Sequence, residues 1–224
     1  WNLKFKMKKE KAFIFDLDGV IVDTAKYHFL AWRNLANSLG FEFTEEQNEL
    51  LKGVSRVKSL DILLKIGKVE LTDNEKQTLL VKKNTEYLQY VNKMTADEIL
   101  PGIIELLAFL DKNNIKYALG SASKNAPLIL EKVGLLNRFT AIVDGNDVSK
   151  AKPDPEVFLI GAQKLNMKPE VCIVVEDAIA GVEAANAANM LSIGIGDAEV
   201  LKEADYVLSD TTGFTTDFIQ KILN

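Results

Sequence analysis

Uninterrupted apolar runs recur along the chain at Ala12-Phe13-Ile14-Phe15, Tyr117-Ala118-Leu119, Ala141-Ile142-Val143, residues 171–175 and residues 191–195. Continuous apolarity, in place of alternation, marks strands covered on both faces. Between the runs the pattern turns helical, at 102–112 after Pro101, 126–133 ahead of Gly134, 156–165 and 178–188. Buried strands alternating with helices predict an α/β fold built on a doubly wound parallel sheet. Ligands of such sheets bind beyond the carboxyl ends of the strands, so the residues just after each strand matter most.

Residues 24–95 break this rhythm and read as helices with no convincing strand. A helix over 25–39 stops at Gly40, while Thr44-Glu45-Glu46-Gln47 and Thr72-Asp73-Asn74-Glu75 have the form of capping boxes. Ser55 reads as the cap of another helix that starts at Arg56. The expected organisation is a catalytic core of residues 1–23 and 96–224 carrying an all-helical insertion, 24–95. The insertion leaves from the active end of the first strand, which favours a cap over the strand ends above a mere decoration.

Composition narrows the function. With 224 residues, 47% of them hydrophobic, the chain can bury a full core, and neither disorder nor a collagen-like repeat fits. The 27 basic residues against 32 acidic ones, net −5, supply no basic footprint for nucleic acid, which leaves small molecules as the expected partners. The single cysteine, Cys172, excludes an intramolecular disulfide and reads as an inert core thiol; one histidine, His28, excludes a zinc site of several imidazoles. No apolar run approaches the roughly 20 residues that span a bilayer, so a cytoplasmic protein without membrane contact, and a monomer, is expected. Met7 reads as the natural start, with residues 1–6 an addition ahead of it.

Chemistry gathers at the strand ends. Asp16-Leu17-Asp18-Gly19-Val20 follows the first strand and sets two carboxylates two residues apart, a pattern that by itself also suits a polar turn. Ser121-Ala122-Ser123-Lys124-Asn125 follows the second, a hydroxyl-rich turn into a helix, where free N–H groups favour a phosphate. Lys152, between Ala151 and Pro153, stands in a loop stiffened by two prolines, and Glu176-Asp177 closes the fourth run. Clustered carboxylates repel unless a cation joins them, and an oxygen-only set suits magnesium beside a phosphoryl group. No Gly-x-x-x-x-Gly-Lys-Ser/Thr motif is present, and no histidine lies near these segments, so an aspartate nucleophile remains.

These four ordered motifs resemble those of the haloacid dehalogenase superfamily over nearly the whole chain. Asp23-Thr24, Tyr27-His28-Phe29, Ala31-Trp32 and Leu51-Lys52-Gly53-Val54-Ser55-Arg56 narrow the resemblance to its β-phosphoglucomutase group. The resemblance implies a Rossmann-like core, Asp16 as the phosphorylated nucleophile and Asp18 as general acid/base. It implies Mg2+ held by Asp16, the Asp18 carbonyl, Glu176 and Asp177, with Ser121 and Lys152 on the transferring phosphoryl. In the cap, Arg56 would hold the other phosphate, helped from the core by Ser123 and Asn125 of the 121–125 turn, which also includes Ala122 and Lys124. Lys52, Gly53, Val54 and Ser55 would meet the sugar, and Thr24 and His28 would act at the hinge and position Asp18.

Read without the family, Arg56 is an ordinary helix-start arginine and His28 an exposed helix histidine one turn after Thr24; Trp32 and Phe29 are packing residues before they are ligand contacts. The activity implied is isomerisation of β-D-glucose 1-phosphate to glucose 6-phosphate through β-glucose 1,6-bisphosphate. A sugar-phosphate phosphatase on the same core is the nearest rival. A phospho-aspartate receiver domain and a catalytically silent sensor are rivals of other classes.

Overall fold

In a computed structural model that describes residues 10–224, six parallel strands form one sheet in the order β3-β2-β1-β4-β5-β6. They are β1 (Ala12–Phe15), β2 (Tyr117–Gly120), β3 (Ala141–Val143), β4 (Cys172–Glu176), β5 (Leu191–Ile195) and β6 (Tyr206–Leu208). In register, Ile14 stands between Ala118 of β2 and Val174 of β4. β1, β2 and β4 are buried at every position, which is what their unbroken apolar sequence encodes.

Four helices follow β1 within residues 24–95: α1 (Ala25–Ser38), α2 (Glu45–Asn48), α3 (Arg56–Gly67) and α4 (Asp73–Val91). The remaining five are α5 (Ile103–Lys112), α6 (Ala126–Lys132), α7 (Glu156–Lys164), α8 (Ile179–Ala187) and α9 (Thr216–Leu223). Alternate residues of a strand point to opposite faces, so Phe13 and Phe15 join α5, α6 and α9 in one core, while Ile14 joins α7 and α8 in another. The inserted helices have a third core of their own, built on Trp32, Leu35, Phe43, Leu60, Leu63 and Leu80.

Both capping boxes form, with Thr44 accepting from Gln47 N–H and Thr72 from Glu75 N–H. The inserted segment leaves and returns side by side: Val22 pairs antiparallel with Ile99, and Asp23 N–H donates to the Glu98 carbonyl at 3.0 Å. This narrow waist sits at the carboxyl end of β1. Among the described residues, no helix is long and apolar enough to cross a membrane.

The sequence pattern misses β6 and α9. β6 is a three-residue, half-buried edge strand, too short for any periodicity to stand out. β4 also runs one residue later than its apolar run, because Glu176 still pairs with Gly194 of β5 before the chain turns. The expected start at Met7 and the added residues 1–6 lie outside the described residues.

Candidate active site

Asp16 is the first residue after β1, and its N–H continues the ladder by donating to the Val175 carbonyl at 2.9 Å. Lys152 Nζ lies 2.6 Å from Asp16 Oδ1 and 2.6 Å from Glu176 Oε1, with its side chain 1% exposed. Burial alone would lower the lysine, but Asp16 and Glu176 outweigh it and hold the ammonium above its usual range. The other Glu176 oxygen accepts the Ala178 N–H at 2.8 Å, so both oxygens of this carboxylate are engaged. Burial nevertheless pushes Glu176 up, with Lys152 opposing.

Asp18 and Asp177 complete the acidic group. Thr24, fully buried, donates its hydroxyl to Asp18 Oδ1, and His28 Nε2 stands 4.0 Å from Asp18 Oδ2. Burial and the neighbouring Asp16 raise Asp18 to about 6, against the opposing pull of Thr24, Lys83 and Lys152. Asp177 is pushed well above the carboxylate range by burial, then by Glu176 and Asp16, with Lys52 opposing. Gly19, at φ +78°, lies where a Cβ would overlap the Asp177 carboxylate, so only glycine lets this loop pass.

The donors fit a hard cation in chemistry: they are all oxygens, mutually repulsive, and Asp177 makes no hydrogen bond among the described residues. Among the described residues no three carboxylate, histidine or cysteine side chains are grouped as they would be around one ion. Lys152 stands between Asp16 and Glu176, within 2.6 Å of an oxygen of each. Open carboxylate oxygens remain on Asp16 and Asp177.

Opposite this group lies a cavity of about 370 Å³, closed on its far side by α1, α3 and α4. Ser121, Ala122, Ser123, Lys124 and Asn125 form one wall; Trp32, Lys52, Gly53, Val54 and Arg56 come from the inserted helices. The Ser121 hydroxyl accepts the Ser123 N–H at 3.1 Å and the Ser123 hydroxyl accepts the Asn125 N–H at 3.2 Å, which orders the turn. Gly53, at φ +68°, rests on the start of α8: a Cβ there would come 2.7 Å from Ala178 Cβ. The loop carrying Lys52 is therefore in van der Waals contact with the core.

Not every expected residue lines the cavity. Ser55 spends its side chain capping α3, accepting the Lys58 N–H at 3.3 Å, and does not reach the cavity wall. Thr24, Lys152 and Glu176 are buried and not part of the lining, Thr24 bonded to Asp18 and Lys152 bridging Asp16 and Glu176. Trp32 is both core and wall, 2% exposed in the inserted helices' own cluster. His28 is stacked on Tyr87, ring centroids 4.1 Å apart, and is not the exposed histidine its helix position alone suggests. Cys172 is buried as expected, and burial raises its thiol to about 11.

Sequence reading missed Lys83. It is 1% exposed, lies over the rings of Trp32 at 4.6 Å and Tyr87 at 4.7 Å, and faces the cavity. Burial, reinforced by Arg56, lowers it to about 7. Burial also lowers Arg56. Two desolvated cations side by side repel each other, an arrangement that an anion relieves.

A family model for haloacid dehalogenase-like hydrolases matches residues 10–189. β-Phosphoglucomutase of Bacillus subtilis is 43% identical over 213 residues, 94% of this chain and 94% of that protein. A phosphorylated carbohydrates phosphatase of Thermotoga maritima is 32% identical, over 88% of this chain and 92% of its own. The crystal structure of β-phosphoglucomutase from Clostridium difficile superimposes with a TM-score of 0.91 at 44% identity, covering 96% of this chain and 97% of that one.

Proposed function

The chain belongs to the haloacid dehalogenase-like hydrolase family, and from that premise we propose that it is an isomerase of the β-phosphoglucomutase type. It converts β-D-glucose 1-phosphate to glucose 6-phosphate through β-glucose 1,6-bisphosphate. The observation that carries this reading is a cavity with phosphate-binding chemistry on both sides. Ser121, and Lys152 beneath it, serve Asp16; Arg56 and Lys83 come from the inserted helices, which act as a cap domain over residues 24–95. A substrate with one phosphate needs the first group alone. A bisphosphate uses both.

Asp16 attacks phosphorus, forming an aspartyl phosphate as the sugar oxygen leaves with a proton from Asp18. In the reverse direction a sugar hydroxyl attacks the aspartyl phosphate, the bond from phosphorus to Asp16 breaks, and the hydroxyl proton passes to Asp18. A carboxyl raised to about 6 is suited to both duties near neutrality. Thr24 and His28 orient it. Lys152 holds Asp16 in place and offsets negative charge on the migrating group. Turning the bisphosphate over presents its other phosphate to Asp16, while Arg56, with Ser123 and Asn125, holds the one that is not reacting. Contact of the Gly53 loop with Ala178 excludes water, which would otherwise hydrolyse the aspartyl phosphate.

Mg2+ would be held by Asp16, the Asp18 carbonyl, Glu176 and Asp177, with Lys152 beside it. Bound there, it would supply positive charge to offset the phosphoryl oxygens and the crowded carboxylates. We place the enzyme in the cytoplasm, as a monomer acting on small sugar phosphates, from its acidic balance and single cysteine. The test supplies β-glucose 1-phosphate, magnesium and a trace of the bisphosphate. Glucose 6-phosphate should accumulate with the native chain and not with Asp16→Asn; equal rates in the two would refute the reading.

A further inference from the structure

Asn125 immediately precedes α6, where an asparagine ordinarily caps the helix by accepting an N–H of the first turn. It makes no such bond. Its Nδ2 instead donates to Oδ1 of Asn84 at 3.0 Å, across the boundary between the core and α4. Asn84 is equally out of place by local rules: asparagine is a poor residue for the interior of a helix, and its side chain serves no purpose within α4. Both residues line the cavity, and Asn84 directly follows Lys83.

An amide nitrogen carries two hydrogens. One on Asn125 is committed to Asn84, which fixes the plane of the amide and leaves the second hydrogen for a ligand. We infer that Asn84 is a positioning residue: from the cap, it holds the Asn125 amide toward the non-reacting phosphate of a sugar bisphosphate. The grip on that phosphate is then complete only when α4 lies against the core, which ties phosphate binding to closure. This deepens the isomerase reading and rests on it.

The test is a double-mutant cycle read by equilibrium binding of β-glucose 1,6-bisphosphate with magnesium, in an Asp16→Asn background so that the ligand is not consumed. Asn84→Ala should weaken binding about tenfold, the scale of one hydrogen bond to a charged group. The double variant with Asn125→Ala should bind no more weakly than Asn125→Ala alone, because Asn84 acts through Asn125. Losses that multiply, or no loss in Asn84→Ala, would overturn the inference. A second readout is the side-chain amide resonance of Asn125 by nuclear magnetic resonance, which should move in Asn84→Ala with no ligand present; an unmoved resonance would also overturn it. Alanine is the better helix former at this position, so folding is not at risk. If the Asp16→Asn parent itself fails to bind the bisphosphate, the isomerase reading and the inference fall together. Binding by the parent with multiplying losses removes the inference alone.

Discussion

Nζ of Lys83 lies 2.7 Å from Nδ1 of His28, joining helix α4 to helix α1 beside the Asp18 carboxylate. Burial, then Lys83 and Arg56, hold His28 well below its ordinary value, so its ring is neutral and Nδ1 accepts from the ammonium. That leaves Nε2–H on the side of Asp18. The imidazole thus stands between Lys83 of α4 and Asp18, the carboxyl proposed to carry the proton, 4.0 Å from the latter.

The linkage has a pH signature. Lys83 is lowered to about 7 from an ordinary 10.5, so between those values the unfolded chain binds more protons and its contribution to stability rises with pH. Below about 7 the cost of burying the charge is present in full. An anionic ligand reverses the shift. Sugar phosphate binding within this window should take up a proton, and affinity should fall as pH rises. Calorimetry in buffers of different ionisation enthalpy measures the uptake, which Lys83→Met should abolish; binding without proton uptake in the native chain would count against it.

Lys152 is the internal counter-charge of the site. Lys152→Met should remove activity and cost about 3–5 kcal/mol of stability, the scale of leaving buried charge unpaired. The deficit should shrink as pH falls, since the orphaned carboxylates then take up protons. Urea denaturation across the acidic range reads it, and a deficit independent of pH would mean that Asp16 and Glu176 do not depend on this lysine.

Magnesium should act on stability as well as on rate. A cation relieving Asp16 and Asp177 binds the folded chain alone, so magnesium at a hundred times its dissociation constant should add about 2.7 kcal/mol. Asp177→Asn should lose most of that gain, and Asp18→Asn should keep it while slowing phosphoryl transfer to and from sugar oxygen. Thermal melts with and without the metal separate the two; a large loss of magnesium stabilisation in Asp18→Asn would contradict its carbonyl-only role.

Gly53 tests closure. Gly53→Val meets Ala178 and forces a left-handed backbone on a branched residue, at a cost on the order of 1–2 kcal/mol. The cap should then stand off the core, so glucose 6-phosphate formation drops while the share of phosphate lost to water rises. An unchanged share would show that this contact does not exclude water.

The sheet was legible because a strand buried on both faces must be apolar throughout, and β1, β2 and β4 are. The acidic tips were legible for a related reason: Asp16 and Glu176 interrupt runs that otherwise stay dry. Lys83 and Asn84 were not, because α4 is largely polar and nothing in Lys82-Lys83 tells a solvated ammonium from one packed between Trp32 and Tyr87. That difference is tertiary. Lys152 was legible as a candidate, but its pairing with Asp16 and Glu176 is tertiary too, whereas the Ser55 cap on α3 could be read directly from its place before Arg56.

The central claim is that this cleft moves a phosphoryl group between two oxygens of one sugar without surrendering it to water. Its most direct test follows glucose 6-phosphate and inorganic phosphate together during turnover of β-glucose 1-phosphate with magnesium and a trace of β-glucose 1,6-bisphosphate. Sugar phosphate should accumulate with inorganic phosphate near background. Release of phosphate in step with consumption of substrate would contradict the account and make the protein a phosphatase.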